Sequence, residues 1–313
     1  MMKMIDFTAL PRKNKAYAGA NGNKIAVLYQ GEQYMLKFPP LPSLNKEMSY
    51  ANSCISEYIG CHIFESVGIP VQETLLGTFV NKGKEKIVVA CKDFTSVGIV
   101  LQDFASLKNQ VIDSERNGYG TELSDILFSM QEQTAVDSVA LSDRFWDMFI
   151  VDALIGNWDR HNGNWGFLYD TVHDTMTLAP VFDCGSSLYP QMDLELMEKV
   201  LADPKEMDYR IFEIPLSGIK EHDKKIKYFD FISSLKNEDC NRALRRIVPK
   251  IDMQAIDCII EETPYITDLQ KTFYKTILAA RKERILDYAL GLLQAQDPGH
   301  ERQAYNRSAE QER

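Results

Sequence analysis

Residues 156–166 read GNWDRHNGNWG. They follow RFWDMFIVDALI, residues 144–155, in which Trp146, Phe149, Ile150, Ala153 and Leu154 keep the i, i+3, i+4, i+7, i+8 spacing of a helix anchored on one face. Gly156 is placed to end that helix, so the polar cluster becomes a loop directly beside the core. A loop held by a rigid buried helix keeps chemical groups still. Within it Asp159 and Asn164 stand five residues apart.

The bulk composition sets the frame. A chain of 313 residues is compatible with two domains or one two-lobed domain. Hydrophobic content of 45% and charged content of 26% belong to an ordinary soluble globular protein. No apolar run approaches the roughly 18 residues of a membrane span. The start, MMKMIDFTALPRKNK, has no secretory apolar region, which sets a cytoplasmic expectation. The six Cys (54, 61, 91, 184, 240, 258) form no CxxC pair. They read as reduced, mostly buried thiols rather than zinc ligands or a disulfide framework. A net charge of −10 argues against nucleic acid as a direct partner.

Upstream of the loop, NKIAVLYQ (23–30) and EQYMLKF (32–38) read as a hairpin around Gly31. In its second strand, alternation sets Lys37 on the face opposite Tyr34, Leu36 and Phe38. SYANSCISEYIGCHIFESVG (49–68) reads as a helix with Ile55, Ile59, Ile63 and Val67 on one stripe. Glu57 lies on a second face with Gly60, Cys61 and Phe64, where small residues admit close approach by another element. Gly68 is a plausible C-cap. VQETLLGTFV and EKIVVACKDF then read as two strands joined by NKGK. The order up to about residue 90 is therefore β-β-α-β-β. Helical patterns follow at 101–110, 121–133, 143–155, 193–202, 227–235, 238–247, 252–261 and 266–295, and no internal repeat is visible. The expected fold class is α+β, a β-rich N-lobe over residues 1–92 and a helical C-lobe over 93–295, with 296–313 a disordered polar tail. A cleft between lobes is a natural ligand site.

The separation of Asp159 and Asn164 is the Asp-to-Asn spacing of the protein-kinase catalytic loop, where the Asp receives the acceptor proton and the Asn holds magnesium. Downstream, TMTLAPVFDCGSSLYP (175–190) reads as a strand-like run ending in Phe182-Asp183-Cys184-Gly185. Its carboxylate at a strand end suits a second metal ligand. Lys37 and Glu57 form a candidate ion pair orienting phosphates. AGANGNK (18–24) offers glycine-rich backbone N–H groups to phosphate. Taken singly, each piece has a plainer meaning: a turn, a solvated Lys and Glu, a capping loop. Their order along the chain is what discriminates.

GNWDRHNGNWG and APVFDCGSSLYP resemble the catalytic and metal-binding segments of the HipA-like kinases, most of all their short CtkA-type members. The likeness runs from about Ile5 to about residue 292 and includes YAGANGNKI, YMLKFPP, KEMSYANSCISEY and KIVVACKDF. It implies a two-lobed protein-kinase-like fold, ATP with Mg2+, and phosphoryl transfer to Ser or Thr of a protein substrate, autophosphorylation included. By position it implies ATP contacts from Gly19, Ala20, Asn21, Gly22, Lys37, Glu57, His161 and Asp183, with Val89, Ala90 and Cys91 as the hinge that receives adenine. Asp159 is the implied base, with Lys37 and Asn164 beside it in catalysis, and Asn164 and Asp183 hold the metal. Arg160 and His161 read as organisers of the loop, His161 as a buried structural side chain. Ser186 and Ser187 are autophosphorylation candidates by proximity to Asp183, and equally small residues of a tight loop.

The chain departs from the family in two places. HipA carries a Ser just before its Gly-rich segment whose phosphorylation inactivates it. Here that position is Ala16, and no Ser or Thr stands between Thr8 and Ser43. The chain also lacks the N-terminal subdomain of full HipA, which leaves an antitoxin partner undecided. CtkA-type proteins are associated with release from bacteria, so export by a non-Sec route stays open beside the cytoplasmic expectation. Three other readings compete: a nucleotide-binding pseudokinase scaffold, a kinase acting on a small molecule, and a metal-dependent hydrolase using Asp159, His161 and Asp183. The last would need more ligands than five scattered His supply. Residues 191–236 are expected to shape the acceptor surface, with EHDKK read as a solvated turn.

Overall fold

The computed structural model describes residues 5–17, 24–39, 52–112 and 117–296. Two short strands open it, β1 (Ile5–Asp6) and β2 (Arg12–Lys13). The sequence reading has neither, because two residues carry no period. The expected hairpin follows as β3 (Lys24–Tyr29) and β4 (Glu32–Lys37), turning at Gln30 and Gly31 with φ of 52° and 86°. Helix α1 (Ser53–Ser66), β5 (Thr74–Asn81) and β6 (Lys84–Lys92) complete the N-terminal lobe. Its six strands run in the order β1-β5-β6-β4-β3-β2, with β1 parallel to β5 and the other pairs antiparallel.

Alternation along the strands divides the apolar side chains between two faces. Phe7, Val27, Tyr34, Leu36, Phe79, Val88 and Ala90 form a small core on the outer face. Met35, Leu76, Val89 and Cys91 face inward and join the main core with Ile55, Ile59, Ile63 and Val67 of the α1 stripe. Lys37 shares the inward face of β4 with Met35, as the alternation requires. Gly68, at φ 79°, follows α1 in the left-handed conformation expected of its cap.

After β6 comes β7 (Ile99–Asp103), which runs straight into α2 (Phe104–Val111). A helix was expected from 101. The backbone of Ile99–Asp103 is instead claimed by a three-stranded sheet with β8 (Gly166–Asp170) and β9 (Thr175–Leu178), and Asp103 then caps α2 by accepting from Ser106 N–H at 2.8 Å. The strand expected over 175–190 ends at Leu178. This small sheet brackets the loop that follows α4 and anchors the segment leading to Asp183.

Between these strands lie α3 (Leu123–Glu132) and α4 (Ser138–Ile155). Helix α4 is buried all round from Met148 to Ile155, rather than on one face only. Next come α5 (Leu194–Ala202), α6 (Pro204–Asp208) and a hairpin of β10 (Lys220–Glu221) and β11 (Lys224–Lys225). Helices α7 (Tyr228–Ser233), α8 (Glu238–Ile247) and α9 (Met253–Glu262) precede the long C-terminal helix. That helix comprises α10 (Asp268–Arg281) and α11 (Tyr288–Gln296) around a wider turn at Lys282–Asp287. Among the described residues, all six cysteines are free thiols and five are buried, while Cys258 is exposed. None of the described helices is long and apolar enough to cross a membrane.

Candidate active site

The Lys37 ammonium lies 2.9 Å from Asp183 Oδ1 and 3.1 Å from Glu57 Oε1, joining three elements at one point. The Glu57 side chain is 1% exposed, that of Lys37 16% and that of Asp183 40%, so the triad opens toward solvent at Asp183. Loss of water would lower the Lys37 pKa, but the Asp183 and Glu57 charges outweigh it and hold the group well above its ordinary value. Desolvation likewise pushes the Asp183 carboxyl up. Lys37 outweighs it, with Arg160 and Lys24 adding, and the net direction is down. Glu57 Oε1 has no donor aligned for a hydrogen bond, so this contact is an ion pair alone.

A close approach makes the triad possible. A Cβ on Gly60 of α1 would lie 2.8 Å from Cys184 Cβ, and one on Gly185 would lie 3.0 Å from Glu57 Oε2. The absence of both lets the Asp183 segment rest directly on α1, as the small residues beside Glu57 suggested. Asp183 itself adopts φ 61°, a left-handed conformation that Asp tolerates better than most residues.

The loop of Asp159 is held from beneath. Gly156 ends α4 at φ 66°, its N–H donating to the Asp152 carbonyl. Arg160, 3% exposed, donates from Nε to Asp152 Oδ2 at 2.9 Å and from Nη2 to Asp152 Oδ1 at 3.2 Å. Its Nη1 donates to the carbonyls of Asn164, at 2.8 Å, and Phe182. One guanidinium thus ties the end of α4, the catalytic-type loop and the residue before Asp183. Asn157 Nδ2 donates to Asp152 Oδ1 at 3.0 Å, and its Oδ1 accepts from Asp159 N–H at 3.1 Å. Burial pushes the Asp152 pKa up, against the pull of Arg160.

On this support Asn164 Nδ2 donates to the Asp159 carbonyl at 2.8 Å, and Asn164 Oδ1 has no hydrogen-bond partner among the described residues. The Asp159 carboxylate accepts no hydrogen bond from a described residue. Burial lifts its pKa above the ordinary value; His161 draws it down and the Asp183 charge pushes it up. His161 is half-buried, not the buried structural side chain expected. Its Nδ1 accepts from Gly163 N–H at 3.0 Å, an organising contact within the loop. The buried member of the Asp-Arg-His triplet is Arg160, whose fork of donors matches a carboxylate and the carbonyls behind the loop.

Val89, Ala90 and Cys91 lie inside the sheet. Each pairs with β4 on one side and β5 on the other, and all three are fully buried. Their backbone groups are therefore spent on the ladder, and the chain emerges from it only after Lys92. In the residues that follow, Phe94 meets Phe182 at 5.9 Å between ring centroids. Asp93 gathers the neighbouring segments there. Its Oδ2 accepts from Tyr17 Oη at 2.7 Å and Gln33 Nε2 at 2.6 Å and pairs with Lys15 at 2.6 Å, while Oδ1 accepts from Thr95 N–H and Oγ1. Gly19, Ala20, Asn21 and Gly22 lie outside the described residues. Ser187 is fully buried and donates to the Cys184 carbonyl at 2.7 Å, so it serves the loop's tight turn.

Sequence reasoning missed Asp152, Asn157 and Asp93. The one available signal was an acid inside the apolar run that ends α4, eight residues before an arginine. Among the described residues no three His, Cys, Asp or Glu side chains converge as a metal cluster.

A strand lysine braced by a helix carboxylate, facing a strand-end Asp and an Asp/Asn loop across a two-lobed α+β fold, defines a protein-kinase-like phosphotransferase. The chain belongs to the HipA-like C-terminal domain family, whose model matches residues 15–255. Serine/threonine-protein kinase CtkA of Helicobacter pylori strain J99 is 50% identical over 290 residues, 92% of this chain and 88% of that protein. The crystal structure of the Helicobacter pylori proinflammatory kinase CtkA matches with a TM-score of 0.86 and 47% identity, over 92% of this chain and 98% of that one. HipA from the Shewanella oneidensis MR-1 complex with HipB and operator DNA matches with a TM-score of 0.54 and 17% identity, over 88% and 67%. That last likeness bears on the fold alone.

Proposed function

We propose that this chain transfers the terminal phosphoryl group of ATP to Ser or Thr hydroxyls of proteins. The observation that carries the reading is the meeting of Lys37, Glu57 and Asp183 at one ammonium, from positions far apart in sequence. A lone structural ion pair has no use for a second carboxylate that is 40% exposed. The family and the half-identical kinase relative support the same reading.

The chemistry asked of such a site is positioning and charge neutralisation. Glu57 orients the Lys37 ammonium, which then meets phosphate oxygens. Asp159 orients the incoming hydroxyl and takes its proton, a task suited to a carboxylate with a raised pKa and no competing donor. Asp183 and Asn164 carry hard oxygen donors of the kind that suit Mg2+ completed by phosphate and water. When bound, the metal would offset triphosphate charge. We take the lobes to divide near residue 92, with adenine received after β6.

The test is incubation with γ-labelled ATP, Mg2+ and a generic acceptor protein, beside Asp159→Ala. Label on the acceptor from the wild type only is the expected result. Equal labelling by the variant removes Asp159 from the mechanism, and absence of any label beside intact ATP binding points to a scaffold or a small-molecule acceptor.

A further inference from the structure

The β10–β11 hairpin carries an arrangement that the phosphoryl-transfer site does not use. Its register pairs Glu221 with Lys224 and Lys220 with Lys225. Directly opposed residues project to the same face of a hairpin. One face therefore sets a carboxylate opposite an ammonium, and the other sets two ammonium groups opposite each other. Opposite charges across a strand pair stabilise it, and like charges destabilise it. Neither Lys220 nor Lys225 has a salt bridge among the described residues, whereas Lys227 close by is paired with Glu213. An unrelieved pair of like charges, on a chain of net charge −10, is a place for an external anion.

The hairpin is fastened where that anion would matter. His222 and Asp223 turn at φ 52° and 63°, and both N–H groups donate to the Glu122 carboxylate, at 2.7 and 3.1 Å. Lys220 N–H donates to the Thr121 carbonyl at 2.8 Å. At the base, Ser217 N–H donates to the Ile226 carbonyl at 2.8 Å and Ile226 N–H to that of Ile219 at 3.0 Å. Gly218, between them, lies against the loop itself. A Cβ there would be 3.0 Å from the N, C and O atoms of Arg160, the residue after Asp159. The other cations of the site are already committed, Lys37 to Glu57 and Asp183 and Arg160 to Asp152.

We propose that Lys220 and Lys225 form an anion-binding pair on the acceptor side of Asp159, selecting Ser or Thr acceptors flanked by acidic residues. The inference rests on the kinase reading above and names its substrate class. A carboxylate beside the acceptor hydroxyl relieves the Lys220–Lys225 repulsion as it docks. Selectivity of this kind comes from exposed charges, so it weakens as salt rises.

The experiment compares two fluorescent Ser peptides, one with Asp and Glu around the hydroxyl and one with Asn and Gln in their place. Both are measured for binding by anisotropy and for labelling from ATP with Mg2+. The wild type is expected to prefer the acidic peptide about tenfold in affinity and in kcat/KM, the scale of two exposed ion pairs acting together. The preference should shrink at high salt. Lys220→Glu with Lys225→Glu should abolish it and favour a Lys-flanked peptide, while Lys220→Gln with Lys225→Gln should abolish it without reversal. Equal binding of both peptides by the wild type overturns the proposal. So does a variant that slows labelling of every peptide equally with the preference intact, which would assign the lysines to the transferring phosphoryl group. If no peptide is labelled, the kinase reading is what fails, and the binding comparison still decides for or against the lysine pair.

Discussion

Two ion pairs meet the same segment, Phe182 and Asp183, and are built in opposite ways. Arg160–Asp152 is closed: side-chain exposures are 3% and 1%, both carboxylate oxygens are used, and the remaining guanidinium donors reach carbonyls and the Cys184 sulfur. Lys37–Asp183 is open: the exposures are 16% and 40%, and Asp183 keeps acceptor capacity in reserve. A buried pair that is fully hydrogen-bonded specifies a geometry, and removing one partner leaves the other charge stranded. A half-open pair holds its charges ready for a ligand. The closed pair is scaffold, and the open pair is the working edge it supports.

The largest expected effect breaks the open side. Asp159→Ala and Asp183→Ala should each lower phosphoryl transfer by roughly 10²–10⁴-fold or more, while thermal unfolding followed by circular dichroism stays close to wild type. Lys37→Ala should damage nucleotide affinity and rate together, measured by calorimetry and initial rates. Next comes the closed side. Arg160→Ala should cost about 3–5 kcal/mol, because Asp152 is left buried and unpaired. Urea denaturation measures it, and a loss below about 1 kcal/mol would mean the pair is not the scaffold described.

A smaller effect sharpens the contact between the two. Gly60→Ala places a methyl group 2.8 Å from Cys184 Cβ, so the Asp183 segment must shift. The expected cost is about 1–3 kcal/mol in stability. A weaker response to Mg2+ in the rate should accompany it, and unchanged kinetics would show the approach to be slack.

The smallest concerns Asp93. Burial would raise its carboxyl, but bonds from Lys15, Thr95 and Tyr17 outweigh it and hold the pKa at about 2, below the ordinary 3.8. A depressed carboxyl contributes stability that is complete above its unfolded pKa and lost as pH falls through the folded one. The wild type should therefore lose this contribution between about pH 4 and pH 2. Asp93→Asn should be less stable at pH 7 by on the order of 1–2 kcal/mol, with the gap closing over the same window. Urea midpoints at pH 7, 4 and 2.5 check it.

Much of the site could be read before any fold was known, because its residues sit on elements with strong local signals. Lys37 follows from strand alternation, Glu57 from the second helical face it shares with Gly60 and Cys61, and Asp159 and Asn164 from a loop forced by Gly156 after an apolar helix. Asp183 was legible as a residue type, although its strand proved shorter and its backbone left-handed. Val89–Cys91 read alike as the end of a strand or its middle, and the sequence did not show that they lie inside the sheet. Only the ladders to β4 and β5 distinguish the two.

By itself the sequence determined which residues carry charge, which face of each element they occupy, and the order in which they arrive. Those are properties of periods of two and 3.6 residues and of turn-forming glycines. The tertiary structure alone decided that Asp152 lies under Arg160, that Asp93 gathers the segments around the end of β6, and that Lys220 and Lys225 stand opposed on a hairpin whose base packs on the Arg160 backbone. Each is a meeting of side chains or strands through packing, register or burial, and periodicity within one element carries no information about what will be packed against it.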